Sequence, residues 1–188
     1  MLKHLSIMNE KILLRRPLEE DIPAIYSAVQ ESMPDLHPWM DWATEFYSLQ
    51  STKNWFDHTC AGWAHATAFH FIIADISNTT LLGILSIDGI NEKEKSCNLG
   101  YWVRTKQRGK GIASQAIRLS AEFAINFLGM DRAEIMIASP NTASQRAAIK
   151  SGAHAGGKVT NQLVVRADVY DAEIYFLSKD DFPGPVNI

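Results

Sequence analysis

The stretch that most constrains this chain is the junction at residues 99–111. Leu99-Gly100-Tyr101-Trp102-Val103 reads as a strand, and a short polar turn follows it. The chain then runs through Arg108-Gly109-Lys110-Gly111 into residues 111–128, where Ala113, Ala116, Ile117, Ser120, Ala121, Ala124 and Phe127 share one side of a helix. A helix start leaves backbone N–H groups without partners and carries roughly half a positive charge. Glycines there let the backbone approach a ligand closely, and Arg108 and Lys110 add two cations. The junction therefore predicts an anion site suited to a pyrophosphate.

The surroundings decide which fold carries it. Residues 68–75, 81–90 and 97–104 read as consecutive strands. The links Ser77-Asn78-Thr79 and Asn91-Glu92-Lys93-Glu94-Lys95 are short and polar, so these strands form an antiparallel meander. Upstream, residues 11–15 read as a strand stopped by Pro17. Leu18, Ile22, Ile25, Tyr26 and Val29 then recur at helical spacing, with Glu19, Glu20 and Asp21 at the positive end. Pro34 and Pro38 are expected to break the chain, and a second helix starts near Ser51, carrying Trp55, Phe56, Cys60 and Trp63. Downstream come a strand at 133–138, a helix at 142–150 ended by Gly152, and strands at 159–165 and 170–177. That order implies a mixed α/β (α+β) sheet of about seven strands with packed helices.

Composition sets the outer bounds. A chain of 188 residues with 46% hydrophobic and 21% charged residues suits one domain spanning 1–188, and no repeat or linker divides it. The net charge of -3 gives no global attraction to nucleic acid or an anionic membrane, and no apolar run approaches a membrane span. Cys60 and Cys97 are too few for a disulfide framework and point to a reducing compartment. The N-terminus lacks a signal-peptide pattern, so the expectation is a cytoplasmic protein. The scattered histidines show no metal spacing, and no metal is expected.

Two familiar phosphate loops are poor fits. A dinucleotide fingerprint wants an acid at the end of the following strand, but Glu134 falls at the start of its strand, and the preceding strands are antiparallel. A Walker loop needs Gly-Lys-Ser/Thr four residues after a first Gly, which is absent. By contrast, Arg108-Gly109-Lys110-Gly111-Ile112-Ala113 resembles the Gln/Arg-x-x-Gly-x-Gly/Ala loop of the GNAT N-acetyltransferase superfamily. Leu99-Gly100-Tyr101-Trp102-Val103 is similar to the strand before that loop in the ribosomal-protein N-acetyltransferase (RimJ/RimL-type) branch. Asn141-x-x-Ser144, leading to Gly152-Ala153, resembles the Asn-x-x-Ser segment of the same branch, and the order of elements agrees along nearly the whole chain.

The resemblance implies a mostly antiparallel sheet that splays beside the junction, with helices on both faces and acetyl-CoA as cofactor. Backbone groups of Trp102, Val103 and Arg104 would lie along the pantetheine arm, with Val103 N–H as an oxyanion donor. Backbone amides through Arg108, Gly109, Lys110, Gly111, Ile112, Ala113 and Ser114 would hold the pyrophosphate. Asn141 would hydrogen-bond the cofactor, or serve as a helix N-cap, or both. Ser144 would protonate the departing thiolate, unless it is merely a first-turn residue. Tyr101 and Trp102 alternate, so one of them belongs to the core. Trp39, Met40 and Trp42, in a segment resembling the Leu-x-Pro-Trp-Leu/Met stretch of that branch, would line the acceptor side; the alternative is core packing under a long loop.

One departure concerns the general base. Many members carry Glu where this chain has Asn98, which cannot take a proton, and Cys97 is a poor substitute. Asp88 and Glu31 are the remaining acids nearby, each with a surface role as the alternative. An α-amine titrates near 7.7–8.0 and a lysine near 10.4, so weak base assistance suits a peptide N-terminus better. The expected activity is direct transfer from acetyl-CoA to a protein N-terminal α-amine, ribosomal proteins included. The alternatives are a small amine acceptor, such as a polyamine or an antibiotic, and an idle acyl-CoA-binding module. A homodimer is compatible with the chain, and its oligomeric state is not fixed by the pattern.

Overall fold

The computed structural model describes residues 5–183. Strand β1 (Ser6–Met8) turns into β2 (Ile12–Arg15), followed by helices α1 (Ile22–Leu36) and α2 (Leu49–His65). Strands β3 (Phe69–Asp75), β4 (Leu81–Asn91) and β5 (Ser96–Val103) form the meander. Helix α3 (Ile112–Asn126), β6 (Arg132–Ala138), α4 (Thr142–Lys150), β7 (His154–Val165) and β8 (Asp168–Ser178) complete the order. All eight strands join one sheet, β1-β2-β3-β4-β5-β6-β8-β7. Every pairing is antiparallel except β5 with β6.

That exception creates the site. β5 and β6 pair only at Ser96–Asn98 with Arg132–Glu134, and beyond Asn98 they diverge. β5 stays paired to β4 as far as Val103. Arg104 N–H donates to Leu82 O at 2.8 Å, which sets the alternation of the antiparallel ladder. Trp102 and Gly100 therefore face β4 with their backbone groups, and Val103 and Tyr101 face the gap that β6 has left.

Alternation along the strands builds two cores. Phe69, Phe71, Leu85, Leu99 and the α3 residues Ile117 and Phe123 fill one face. Ile72, Ile84 and Trp102 pack against Ile25, Val29 and Leu36 of α1 on the other. Phe123 meets both Phe69 and Phe71 edge-on, with ring centroids 5.9 and 5.6 Å apart. Each fully buried aromatic of this kind contributes about 1.5–3 kcal/mol. No described helix is long and apolar enough to cross a membrane.

The structure differs from the sequence reading at three places. The short β1 adds an eighth strand, held by Asn9 Oδ1 accepting from the Lys11 and Ile12 N–H groups; three residues are too few to show a period. Helix α1 runs through Pro34 to Leu36. The missing Pro34 amide would have served the carbonyl of Gln30, an exposed position where water can substitute. β7 begins at His154, earlier than expected, because register shifts at Ala155/Gly157 and Val159/Leu163 and its exposed surface erase the alternating pattern.

Candidate active site

Two cavities flank the end of β5. The first, about 550 Å³, lies where β5 parts from β6 and is walled by the loop after β5, the start of α3, α4 and the aromatic loop after α1. The second, about 640 Å³, lies between α1, α2 and the sheet face carrying His70, Ser86, Asp88 and Gly100. Met40, Tyr101 and Trp102 line both, so the cavities meet there.

One wall of the first cavity is the glycine loop and the helix start after β5. Gly109 and Gly111 both sit at φ +77, a conformation in which side chains are strained. Gly111 is the N-cap of α3, and Gln115 N–H is the first to bond back, to Gly111 O at 3.3 Å. The amides of Ile112, Ala113 and Ser114 thus start a helix without intrahelical partners. Ser114 Oγ donates to Gly111 O at 2.9 Å, which turns its hydroxyl back onto the loop.

The cations are placed differently from expectation. Arg108 lines the cavity, but its guanidinium is ion-paired with Asp35 of α1. Lys110 is not among the lining residues; it is exposed and donates to Gln107 Oε1 at 2.8 Å. Lys150 of α4 takes the inner position, its Nζ 3.5 Å from where a Cβ on Gly111 would stand. Ala143, Arg146, Ala147 and Lys150 form one stripe of α4 along the cavity. Their spacing of three and four was the signal available in the sequence for Arg146 and Lys150.

Salt links fasten the loop to α1. Glu31 accepts from Arg104 Nη2 at 2.7 Å and lies 3.6 Å from Lys106 Nζ. The Arg104 hydrogen bond holds the Glu31 carboxyl below its ordinary range, so Glu31 is a tie and not a free base. Thr105 Oγ1 donates to Asp35 at 2.6 Å, and that bond, followed by Arg108, lowers Asp35 as well. Arg104 spends its amide on β4 and its guanidinium on Glu31. Of the three residues expected beside the pantetheine arm, Val103 is the one whose N–H turns into the gap.

At the meeting point, Tyr101 Oη lies 2.7 Å from Ser144 Oγ and donates to Ser144 O at 3.0 Å. Burial pushes the Tyr101 phenol up to about 12, so it stays a neutral donor across the working pH range. Asn141 Oδ1 accepts from Ser144 N–H at 3.1 Å, capping α4, and Asn141 also lines the first cavity. The capping bond fixes Ser144 beside Tyr101. Both Tyr101 and Trp102 line the cavities, while Trp102, 9% exposed, also packs in the α1-side core. The role of Tyr101 as partner of Ser144 was not read from the sequence.

The second cavity has aromatic walls: Trp42, Phe46, Tyr47 and Trp55 line it. Trp39 faces the first cavity and Trp42 the second, with Met40 between them. Trp63 instead packs edge-on against Phe69 and Phe71. The aromatic loop is tied from across the molecule. Arg166, in the turn between β7 and β8, donates its N–H to Asp41 Oδ1 at 2.6 Å and its guanidinium to Ala43 O at 3.1 Å. Tyr170 of β8 meets Trp39, ring centroids 6.3 Å apart.

Asp88 is the one carboxylate among the residues lining the second cavity. It accepts from Ser86 Oγ and from Asn98 Nδ2, each at 2.9 Å. His70 stands across from Ser86 on β3, and its buried Nδ1 finds no hydrogen-bond partner among the described residues. Burial holds the imidazole below its ordinary value, with Asp88 pulling the other way and His58 reinforcing the shift. Cys97 is core, 3% exposed, and burial pushes its thiol up to about 12. Cys60 lines neither cavity. No cluster of His, Cys, Asp or Glu able to hold a metal occurs among the described residues.

Comparison with known proteins bears on the family and the fold. Residues 11–154 match the family described as "Acetyltransferase (GNAT) domain". The N-acetyltransferase YdaF of Bacillus subtilis (strain 168) is 28% identical over 105 residues, which cover 56% of this chain and 57% of that protein. The match thus spans just over half the length of that relative. Among solved structures, RimL, a ribosomal L7/L12 alpha-N-protein acetyltransferase in complex with coenzyme A, superposes with a TM-score of 0.85 at 21% identity, covering 94% of this chain and 99% of that one. The microcin C7 self-immunity acetyltransferase MccE, in complex with acetyl-CoA and AMP, gives 0.83 at 20% identity, covering 90% and 93%.

Proposed function

The chain belongs to the GNAT acetyltransferase family, and from that premise we propose that it acetylates the N-terminal α-amine of a protein, a ribosomal protein being the first candidate. Acetyl-CoA supplies the acetyl group already activated as a thioester. The residues present fit that coenzyme: free helix-start amides, bare glycine backbone at positions 109 and 111, and Lys150 beside them form an anion seat. Arg146 lines the same cavity. The gap between β5 and β6 leaves backbone groups that can pair with an extended arm.

The observation that carries the acceptor reading is the aromatic cavity meeting the first at Met40, Tyr101 and Trp102. Rigid aromatic walls suit the end of a peptide and lose little rotamer freedom on binding. A polyamine would favour several carboxylates, and this lining holds one, Asp88. The likeness to RimL supports the same reading.

Each residue then has a task. Val103 N–H, turned into the gap, donates to the carbonyl oxygen that gains charge. Ser144 Oγ, held by the Asn141 cap and by Tyr101, gives a proton to the departing sulfur. Transfer is direct, with both substrates bound together, because the buried Cys97 thiol has neither exposure nor acidity for an acyl-enzyme route.

The test is acetyl transfer to a panel of peptides, read by mass spectrometry and thiol release. Acetylation is expected at the α-amine and not at lysine side chains. Replacing Ser144 by Ala should lower kcat roughly 10²-fold and leave acetyl-CoA affinity unchanged. Tight acetyl-CoA binding without transfer to any amine, or transfer confined to lysine, would sink the reading.

A further inference from the structure

At neutral pH an α-amine is largely protonated, and the ammonium must shed a proton before its nitrogen can attack. The position that the resemblance assigns to a glutamate is Asn98. Asn98 instead donates to Asp88 Oδ1 at 2.9 Å. That bond fixes the carboxylate and leaves Oδ2 to accept from Ser86 Oγ, also at 2.9 Å. Ser86 stands directly opposite Gly100 on β5, and its Oγ lies 3.4 Å from Gly100 O. A Cβ at position 100 would come within 2.7 Å of that hydroxyl. The glycine therefore leaves room for the hydroxyl, one residue from Tyr101 at the meeting point of the cavities.

We propose that Ser86 and Asp88 form a proton relay for the acceptor amine, replacing the carboxylate missing at position 98. This inference rests on the acetyltransferase reading. The ammonium gives its proton to Ser86 Oγ, directly or through one water, while Ser86 gives its own proton to Asp88 Oδ2. The nitrogen keeps its electron pair for the attack, Asp88 becomes the neutral acid, and it returns the proton to water through the cavity after transfer. The step needs no other reagent.

The geometry explains why a serine intervenes. Asp88 faces Asn98, four residues from Trp102, and a strand advances about 3.4 Å per residue. A carboxylate there is too far to touch an amine at the meeting point. The Ser86 hydroxyl covers two of those residues. An ammonium moved into an aromatic cavity also needs an opposite charge, and Asp88 is the carboxylate in the lining. The groups facing the relay are His70 on β3 and His58 on α2 behind it, while Cys97 lies in the core on the opposite face of the sheet. Burial keeps His70 below its ordinary value, so a neutral imidazole stands beside the carboxylate at working pH.

The test measures kcat/KM against pH from 6.5 to 9.5 for an unblocked peptide, together with acetyl-CoA affinity. Asp88→Asn should lower kcat/KM roughly 10²-fold at pH 7. The deficit should shrink as pH rises past the amine's own value near 8, because the amine then arrives neutral. Acetyl-CoA affinity should not change. Ser86→Ala should give the same pH signature at smaller amplitude. The double variant Asp88→Asn with Asn98→Asp, which moves the carboxylate to the neighbouring strand, should recover part of the lost rate. A pH-independent loss, an unimpaired Asp88→Asn, or the pH-dependent loss appearing in His70→Gln instead would overturn the relay alone. Wild-type protein that binds acetyl-CoA and acetylates no amine would overturn the acetyltransferase reading and the relay with it.

Discussion

The two cavities beside β5 are built on opposite principles. The first cavity takes its glycine loop and helix start from one contiguous stretch, residues 103–114, with α4 adding a basic stripe and α1, the aromatic loop and β5 closing it. The second cavity, proposed for the acceptor, draws its lining residues from six places: α1, the aromatic loop, α2, β3, β4 and β5. Main-chain amides present the same chemistry whatever side chains surround them, so the first cavity suits a constant ligand. Side chains from scattered elements change one at a time, so the second suits a ligand that varies between relatives.

Three substitutions would break or sharpen that contrast. The largest effect belongs to Gly111→Val. A β-branched residue at φ +77 is strained by about 1–2 kcal/mol, and its Cβ would stand 3.5 Å from Lys150 Nζ. With the helix-start amides displaced as well, acetyl-CoA affinity should fall roughly 10²-fold, measured by calorimetry. Unchanged affinity would show that the cavity does not depend on its backbone. Next is Trp42→Ala, which removes one wall of the acceptor cavity. The KM for a peptide should rise roughly 10-fold while acetyl-CoA affinity holds. A matching loss of coenzyme affinity would mean that the two cavities are not separable.

The smallest effect is expected at the seam. Glu31 is held below the ordinary glutamate value by Arg104, so its contribution exists above the unfolded value near 4.3 and disappears as pH falls through the lower folded value. Glu31→Gln should cost about 1 kcal/mol in urea unfolding at neutral pH. The gap between variant and parent should close on acidification to pH 3 and below. A gap that persists in acid would assign the loss to packing and not to charge.

The same contrast explains what could be read before the structure. Arg108 to Ala113 carry their meaning in order and spacing, because glycines and a helix start act locally. The strand order was legible for the same reason, each strand being bounded by polar turns. Ser6–Met8 and the early start of β7 were not, since a very short strand and an exposed one show no apolar period. Lys110 looked equal to Arg108 in sequence, yet only the fold shows that Lys150 lines the cavity and Lys110 does not. Tyr101 reaching Ser144 is a contact between strand and helix, and Asn98 reaching Asp88 is one between strands. Their pairing depends on register, which no local pattern specifies.

The clasp of Arg166 on Asp41 and Ala43 has a consequence beyond rigidity. The entrance to the proposed acceptor cavity is braced by a turn at the outermost ribbon of the sheet, which lines neither cavity. A change of length or residue in that turn would reshape the threshold and spare the chemistry behind it. Descendants of one ancestral enzyme could thus diverge in clientele while their reaction stayed the same.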